Sequence, residues 1–502
     1  MDIKSTMSKY GFGHRSTNHI IIDSGGELWL TMAPVAIGGF LSMGAKTLPG
    51  SLKVEPMENG VCVPYSYTVT ESLLELETKK GSKVRFSIDK DAQALRITGN
   101  TALRLNGVEV SLRSTSLITN DGVIVNIGAF RYLMVAKRGN LSFDDTYIVN
   151  KFSSVTPVLD IALEDGEFEF CAYELPDDKA IPIVTKTLEE CAEENESDFV
   201  AFCESLVDLP VEWSDVKEKI AYAIWLCQRV LDGKNEVTVE NKYDSKNTGS
   251  VLMAIVSMAF KDAKKAVDML LSYPVELPPV AGLAAARLID DNMLNDSRGE
   301  IYRVYSALES AARKIVNERM SDKYGLSFYA YRFESGLVRA PEFFEVGEPV
   351  LAPDINTYLI IVSEVIGKLA KMEYDDGMAK KWEAHAKSLK TKLIAELWNG
   401  ESFIGKNVYT GKPSGPDEFL SLVPILLGSR LPEDIIRKLA AKIDASTVNS
   451  AVGLLLAGGL YDAYEEAAAK EIVLRALENV RSSGIDNPFY GASLLAMAHK
   501  VL

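Results

Sequence analysis

Cysteine and histidine are scarce in this sequence of 502 residues, which contains five Cys and four His. The number of cysteines is odd, they lie far apart, and no CxxC pair occurs. This pattern argues against a disulfide framework and against a zinc site, and it favours reduced, partly buried thiols in a cytoplasmic protein. No HExxH, P-loop or GxGxxG motif stands in a suitable context. We therefore expect no metal and no nucleotide or other cofactor.

Long hydrophobic runs and an excess of positive charge are also absent. The apolar run Gly453–Leu460 is far too short to cross a bilayer, and the N-terminal sequence lacks the apolar core of a signal peptide. Asp and Glu outnumber Lys and Arg by 70 to 54, which gives a formal net charge of −16 at pH 7. Such a surface repels phosphate backbones and anionic lipids, so we expect neither nucleic acid nor a membrane as a partner.

Residues 1–186 are typical of β-structure. Val84–Ile88 alternates apolar and polar residues, and turn signals such as Asn59-Gly60 and Asp121-Gly122 separate the apolar runs. Many short strands at this spacing predict an antiparallel β-sandwich. The predicted strands include His19–Asp23, Gly60–Thr70, Ser82–Ile88, Leu95–Gly99, Val108–Leu112 and Gly122–Ile127.

From residue 187 onward, apolar residues recur at helical spacing. We predict a helical linker over residues 187–212 and an all-α domain over residues 213–502. Ala281–Leu288 and Val452–Leu460 carry almost no charge, which is typical of helices inside a double layer. No fixed-period repeat is visible, so a closed toroid is favoured over a solenoid. The predicted helices are Thr187–Val207, Ser214–Leu231, Ser250–Ser272, Pro279–Asp290, Glu300–Arg319, Asp354–Lys371, Asp376–Trp398, Asp417–Leu427, Glu433–Ile443, Ser446–Leu460, Tyr464–Val480 and Pro488–Leu502.

Several motifs between residues 277 and 403 follow one another in a recognisable order. They are Leu277–Ala284, Tyr324–Leu326 with Phe333–Gly336, Ala352–Leu359, and the helix from Trp382 to Phe403. In this order they resemble the motifs of the inverting glycosidases with an (α/α)6 barrel, a superfamily that includes trehalase, processing α-glucosidase I, mannosylglycerate hydrolase and glycogen-debranching-related proteins. The resemblance implies an N-terminal antiparallel β-sandwich followed by an (α/α)6 toroid.

The resemblance also implies chemistry, namely inverting hydrolysis of a small glucoside or oligosaccharide by two opposed carboxyl groups. The family's acid is the Asp of an "ESGWD" loop that aligns with Glu334-Ser335-Gly336. Here the next two residues are Leu337 and Val338, so the Trp and the acidic Asp are both replaced by aliphatic residues. In the loop before the last helix, where the family has its base, the only carboxylate is Asp486.

Displaced carboxylates are therefore the candidate catalytic residues. Glu334 or Glu342 is predicted as the acid and Asp486 as the base. Each has a structural alternative. Glu334 would brace its loop against backbone amides, Glu342 would be an exposed loop carboxylate, and Asp486 would lie in a solvated turn.

The candidate sugar contacts are aromatic and polar residues near the predicted starts of helices. Aromatic rings can stack on the apolar faces of pyranoses, and carboxylates and amides can bind hydroxyl groups. The alternatives are loop packing for the tyrosines of residues 324–333, a solvated loop near residue 244, and capping of a helix N-terminus by Asp354. The predicted substrate-binding residues are Tyr243, Asp244, Tyr329, Tyr331, Asp354 and Asn356.

The loss of the family's acid and Trp keeps a second class of function open. The chain could be a catalytically inactive relative, a pseudoenzyme that binds carbohydrate or acts as a scaffold, and a lyase or phosphorylase in the same barrel is a third alternative. A hydrolase needs two carboxyl groups that face each other across the toroid. A binding protein would keep aromatics and amides there without that pair. The expected ligand is a carbohydrate, and the pattern does not decide the oligomeric state.

Overall fold

The structure of the chain is a computed structural model. It describes residues 11–13, 19–22, 26–31, 51–92, 94–107, 114–119, 122–127, 130–149, 153–174, 185–231, 235–238, 246–294, 297–335, 342–444, 448–485 and 487–502. Within these ranges no helix is long and apolar enough to cross a membrane.

The N-terminal region consists of two antiparallel sheets. Their strands are β1 His19–Ile22, β2 Leu28–Thr31, β3 Ser51–Glu58, β4 Val61–Cys62, β5 Tyr65–Val69, β6 Leu74–Thr78, β7 Lys83–Asp89, β8 Ala94–Gly99, β9 Ala102–Gly107, β10 Ser114–Thr119, β11 Gly122–Ile127, β12 Phe130–Arg138, β13 Asn140–Val149, β14 Ser153–Ala162 and β15 Phe168–Glu174. One has the strand order β1-β2-β3-β9-β14-β13, with β4 paired to β3, and the other has the order β10-β11-β12-β15-β8-β7-β6-β5. Leu105 of the first sheet and Phe86 and Phe170 of the second are fully buried in one shared core. The predicted antiparallel β-sandwich is therefore confirmed.

A helix, α1 (Leu188–Ser205), covers the outer face of the second sheet at β7. Thr187 and Glu190 form a capping box that starts it. Asn195 is buried on this helix, and its amide donates to the Ile88 carbonyl oxygen at 2.7 Å. Because of this cover, Ser87 is buried although it points away from the sandwich core.

The C-terminal region is helical. Its helices are α2 Ser214–Leu226, α3 Lys246–Ser257, α4 Ala263–Leu270, α5 Ala281–Asp290, α6 Arg298–Arg319, α7 Pro353–Met372, α8 Asp376–Leu397, α9 Glu433–Ala440, α10 Ala451–Asp462, α11 Glu466–Ser483 and α12 Pro488–Val501, with a 3₁₀ segment at Val423–Arg430. Six elements of the described chain pack side by side and form a closed ring, because the last one packs against the first. In order they are α3, α5, α7, the 3₁₀ segment, α10 and α12. The other helices surround this closed ring. The predicted (α/α)6 toroid is confirmed, and the two predicted helices that carry almost no charge lie in its inner ring as α5 and α10.

The inner-ring elements run in the same direction. Short turns such as residues 373–375 and 463–465 join an inner element to the outer helix that follows it. A turn of this length makes the two helices antiparallel. The longer connections therefore lead into the inner elements at their N-terminal ends. We call this end of the toroid the entry face.

Glycines permit the close packing of the inner ring. A Cβ atom at Gly459 of α10 would lie 2.8 Å from the Ile425 carbonyl oxygen of the 3₁₀ segment. A Cβ atom at Gly282 of α5 would lie 2.5 Å from Cγ2 of Val362 in α7. Both separations are shorter than a van der Waals contact, so a side chain at either position would force the ring elements apart.

Three helix predictions are wrong in part or whole. The predicted helix Ser214–Leu231 ends at Leu226, and its last residues, Gln228–Leu231, form a strand. The predicted helix Ser250–Ser272 is two helices, α3 and α4, because Asp262 starts a new one by accepting a hydrogen bond from the Lys265 amide at 2.6 Å. The predicted helix Asp417–Leu427 is a turn followed by the 3₁₀ segment. The Asp417 carboxylate accepts from two amides of that turn, and Gly428 interrupts the segment with a φ of 56°.

The helical region also contains strands that the sequence pattern did not predict. β16 (Gln228–Leu231) pairs with β17 (Asn235–Thr238) between α2 and α3. β18 (Phe328–Tyr329), β19 (Val350–Leu351) and β20 (Lys406–Asn407) form a small antiparallel sheet. They are too short to carry a recognisable period. The predicted strand Val108–Leu112 lies outside the described residues, and the predicted domain limits at residues 186 and 212 stay predictions.

Candidate functional site

The candidate residues that the structure describes come together where α7 begins. Tyr329, Tyr331 and Glu334 belong to the connection of residues 320–352, and Asp354 and Asn356 belong to the first turns of α7. The sheet of β18, β19 and β20 joins this connection to the one that precedes the 3₁₀ segment. Both connections lead into inner-ring elements, so this group lies at the entry face.

Asp354 is a buried carboxyl group with a single side-chain partner. It is 1% exposed, and its Oδ2 accepts a hydrogen bond from the Tyr329 hydroxyl at 2.7 Å. In the described part of the chain, its Oδ1 has no hydrogen-bond partner. Burial raises the pKa of Asp354 to about 7, against the opposing effects of the Tyr329 hydroxyl and the backbone amides of the first turn, and the nearby negative charge of Asp417 adds to the rise. The residue at the N-cap of α7 is Ala352, so Asp354 lies inside the first turn and does not occupy the capping position.

Asn356 ties the connection to α7. Its Oδ1 accepts from the Ser327 amide, and its Nδ2 donates to the carbonyl oxygens of Ser327 and Ala352, all at 2.8 Å. The side chain is fully buried. The hydrogen-bonding groups of the Asn356 side chain are thus bound to the backbone around it. Its role in sugar binding stays a prediction. In the structure its side chain acts as a clamp, which holds the connection at Ser327 against the start of α7.

Glu334 is held from two sides. Its Oε1 lies 3.0 Å from Nη2 of Arg319, and its Oε2 accepts from the amides of Ala330 at 2.6 Å and Tyr331 at 3.4 Å. Only 7% of the residue is exposed. The Arg319 guanidinium and the two amides together hold both carboxyl oxygens against the connection. This geometry agrees with the alternative that Glu334 braces its loop.

The two candidate tyrosines have opposite surroundings. Tyr329 is fully buried, and burial together with the charge of Asp354 raises the pKa of its hydroxyl well above the usual value. Tyr331 is 54% exposed and Phe333 is 62% exposed. Their rings are stacked, with centroids 5.4 Å apart and planes within 5° of parallel. The exposed pair has the form of a platform for an apolar ring face.

A cluster that sequence reasoning missed covers Asp354. We call the rings of Tyr329, Phe343 and Phe344, with the aliphatic side chains around them, the aromatic cap. The ring centroids of Tyr329 and Phe344 are 6.4 Å apart, and those of Phe343 and Phe344 are 5.5 Å apart. The adjacent residues Phe343 and Phe344 are the sequence feature from which this cluster could have been predicted. The buried aliphatic members are Val350, Ala352, Ile355 and Leu420.

The structure does not describe the side chains of the remaining candidates. Tyr243, Asp244, Asp486, Leu337 and Val338 lie outside the described residues. For Glu342 the structure gives the backbone, which forms a short 3₁₀ turn with the two phenylalanines that follow it. Within the described ranges no group of three or more His, Cys, Asp and Glu residues could hold a metal ion.

The fold places the chain in a class of known architectures. A glycoside hydrolase family 92 α-mannosidase from Bacteroides thetaiotaomicron, solved with mannoimidazole, is similar over 98% of this chain and 83% of its own, with 11% identity and a TM-score of 0.53. A glycoside hydrolase family 63 mannosylglycerate hydrolase from Thermus thermophilus, solved with glucose, is similar over 50% of this chain and 91% of its own, with 14% identity and a TM-score of 0.40. At such identity the first likeness shows the fold alone.

The family comparison is more specific. Residues 223–454 match the model of the mannosylglycerate hydrolase MGH1-like glycoside hydrolase domain. Comparison with curated protein sequences finds no match. The chain is thus a glycoside hydrolase-like protein with a β-sandwich and an (α/α)6 toroid, and the predicted resemblance is confirmed.

Proposed function

We propose that this chain binds carbohydrate at the entry face and hydrolyses a small glucoside or oligosaccharide with inversion at the anomeric carbon. The observation that carries the proposal is the match of residues 223–454 to a glycoside hydrolase domain. The matched span includes α7 and the connection of residues 320–352, where the described candidates lie together. The family description names a hydrolase of mannosylglycerate, which is a small glycoside, and this supports a small substrate.

Inverting hydrolysis assigns a role to each candidate. A protonated carboxyl group donates to the leaving oxygen, and a carboxylate about 6.5–9.5 Å away activates a water on the opposite face of the sugar. In this proposal Glu342 or Glu334 is the acid and Asp486 is the base. The exposed pair of Tyr331 and Phe333 supports stacking on a sugar ring. The proposed sugar contacts are Tyr243, Asp244, Tyr329, Tyr331, Asp354 and Asn356.

One observation favours the alternative, a catalytically inactive relative that binds carbohydrate or acts as a scaffold. Arg319 and two backbone amides engage both oxygens of Glu334. A general acid must reach the leaving oxygen of the sugar, and these contacts already occupy both carboxyl oxygens of Glu334. If the chain is a hydrolase, Glu342 is therefore the stronger candidate for the acid.

A hydrolysis screen with single variants tests the proposal. The wild type, Glu342→Gln, Glu334→Gln and Asp486→Asn are assayed on α- and β-linked glucosides and mannosides. We expect turnover by the wild type, and we expect loss of the acid or base to reduce kcat on the order of a hundredfold or more. Glu345→Gln is the matched control, since Glu345 is an exposed carboxylate in the same connection.

The outcomes separate the two functions. If Glu334 only braces its loop, Glu334→Gln lowers the melting temperature, and kcat of the folded enzyme stays within a few-fold of the wild type. Folded wild-type protein without turnover on any sugar would rule out the hydrolase. Titration calorimetry with the same sugars then distinguishes a carbohydrate-binding protein from a scaffold. A cytoplasmic location stays a prediction from composition.

A further inference from the structure

The aromatic cap lies against the backbone of the connections at the entry face. Phe343 packs so closely on Gly405 that a Cβ atom there would lie 2.7 Å from the ring. Tyr329 and Val350 come from neighbouring strands of the small sheet, and Ile355 comes from α7. The cap therefore joins three separate stretches of chain at the point where the inner ring begins. It forms a cluster distinct from the main core.

Asp354 lies beside Tyr329 of this cap, and no described cation forms an ion pair with it. Its Oδ1 has no partner, and within the described residues it forms no salt bridge. The side chains that face it are the Tyr329 hydroxyl from β18, the Tyr358 hydroxyl from its own helix, and the Asp417 carboxylate from the turn before the 3₁₀ segment. Glu334 is bound to the amides of Ala330 and Tyr331, which follow Tyr329 in the chain. None of these side chains carries a positive charge, so a charge on Asp354 is opposed only by the hydrogen bond from Tyr329 and by the backbone amides of its own turn.

We propose that Asp354 is a proton-controlled latch, which holds the aromatic cap closed over the start of α7 while its carboxyl group is neutral and releases it when the group ionises. A neutral carboxyl group tolerates an apolar site with few hydrogen bonds, whereas an unpaired carboxylate does not. Opening admits water to Asp354, and the ionised form then gains solvation. The latch needs no sugar, so it is independent of the proposed hydrolase.

The direction of the pH effect follows from proton linkage. The pKa of Asp354 is about 7 under the cap and has an ordinary value near 3.8 when the group is exposed. Between these two values the closed form binds more protons than the open form, so closure weakens as the pH rises from about 4 to 7 and is then constant. Lowering the pH therefore stabilises the closed form of the cap.

Hydrogen exchange of the full chain at pH 5 and pH 8 tests the latch. Protection factors, corrected for the intrinsic effect of pH, are compared for residues 342–352 and for residues 454–460 of α10. In the wild type we expect the protection of residues 342–352 to fall roughly tenfold or more between pH 5 and pH 8, while residues 454–460 change little. In Asp354→Asn, which cannot ionise, protection of the cap should stay high at both values.

Two further variants keep the test decisive. Tyr329→Phe removes the hydroxyl that donates to Asp354, so the loss of protection between pH 5 and pH 8 should become larger than in the wild type. Glu345→Gln removes an exposed carboxylate of the same connection and should behave like the wild type. The proposal is overturned if the wild-type cap shows no pH dependence beyond that of α10. An equal pH dependence in Asp354→Asn would also overturn it.

Discussion

A single buried amide fixes the connection that carries most of the described candidates. Asn356 makes its three hydrogen bonds to backbone groups of Ser327 and Ala352, where no water can replace it. Loss of such a group leaves buried donors and acceptors without partners, which costs more than the hydrogen bonds themselves contribute. The orientation of the connection relative to α7 therefore depends on this residue.

At the residue scale we expect Asn356→Ala to lower the free energy of unfolding by about 2–4 kcal/mol, because it strands the polar groups of Ser327. Urea denaturation measures the loss. Thr357→Val is the matched control, since the buried Thr357 hydroxyl bonds only to the Pro353 carbonyl oxygen within its own helix. Equal losses in both variants would contradict the clamp role of Asn356.

At the scale of elements, the inner ring depends on backbone contact between α10 and the 3₁₀ segment. The backbone of Ile425 and Leu426 lies where a Cβ atom at Gly459 would be, so the two elements touch without an intervening side chain. This closeness explains Gly459 despite the low helix propensity of glycine. The adjacent Gly458 faces α12 instead, where a Cβ atom would lie 2.8 Å from Sδ of Met497.

A substitution pair tests this contact. Gly459→Ala should destabilise the protein by about 1–3 kcal/mol through overpacking, although alanine favours a helix. Gly299→Ala in α6 is the control, because nothing lies within 4 Å of its added methyl group. It should stabilise by about 0.5–1 kcal/mol through propensity alone. Thermal unfolding of both variants gives the comparison, and a stabilising Gly459→Ala would contradict the packing described.

The sequence predicted the helices of the toroid better than it predicted the segments that connect them. Ala281–Leu288 and Val452–Leu460 reveal inner helices because a helix buried on all sides needs no polar face. The break between α3 and α4 at Asp262 was not predicted, because in the sequence a capping aspartate looks like any charged residue on the outer face of a helix. The 3₁₀ segment has the same apolar composition as an α-helix, so composition could not separate them.

The candidate site was predicted only in part, for a related reason. The motifs Tyr324–Leu326 and Ala352–Leu359 predicted the stretch of chain in which the described candidates lie together. Whether Glu334 faces a sugar or Arg319 depends on contacts between residues 15 apart in sequence. The burial of Asp354 depends on a cap made by three separate segments. No local pattern encodes either arrangement.

At the scale of the whole molecule, α1 joins the β-sandwich to the toroid. Asn195 bonds to β7, while Asp198 accepts from the Trp225 indole of α2 at 2.9 Å. Phe199 packs edge-on against Tyr222 and Trp225, with ring centroids 6.1 and 5.3 Å away. The two halves share one continuous core through this helix.

We therefore expect the wild type to unfold in a single calorimetric transition. Phe199→Ala removes the buried ring between α1 and α2, so it should cost about 3–5 kcal/mol and separate the unfolding of the two halves into two transitions. The neighbouring Val200 is 51% exposed, so Val200→Ala should leave the transition unchanged. A Phe199→Ala variant that still unfolds in one sharp step would contradict the coupling through α1.

The most direct test of the proposed function is the configuration of the first sugar released by the wild-type protein. Proton NMR recorded during the first minutes of turnover, before mutarotation, distinguishes the two anomers. We expect a product with the anomeric configuration opposite to that of the substrate, since two separated carboxyl groups act on a water without a covalent intermediate. A product of retained configuration, or no product from folded protein on any glycoside tested, would contradict the proposed function.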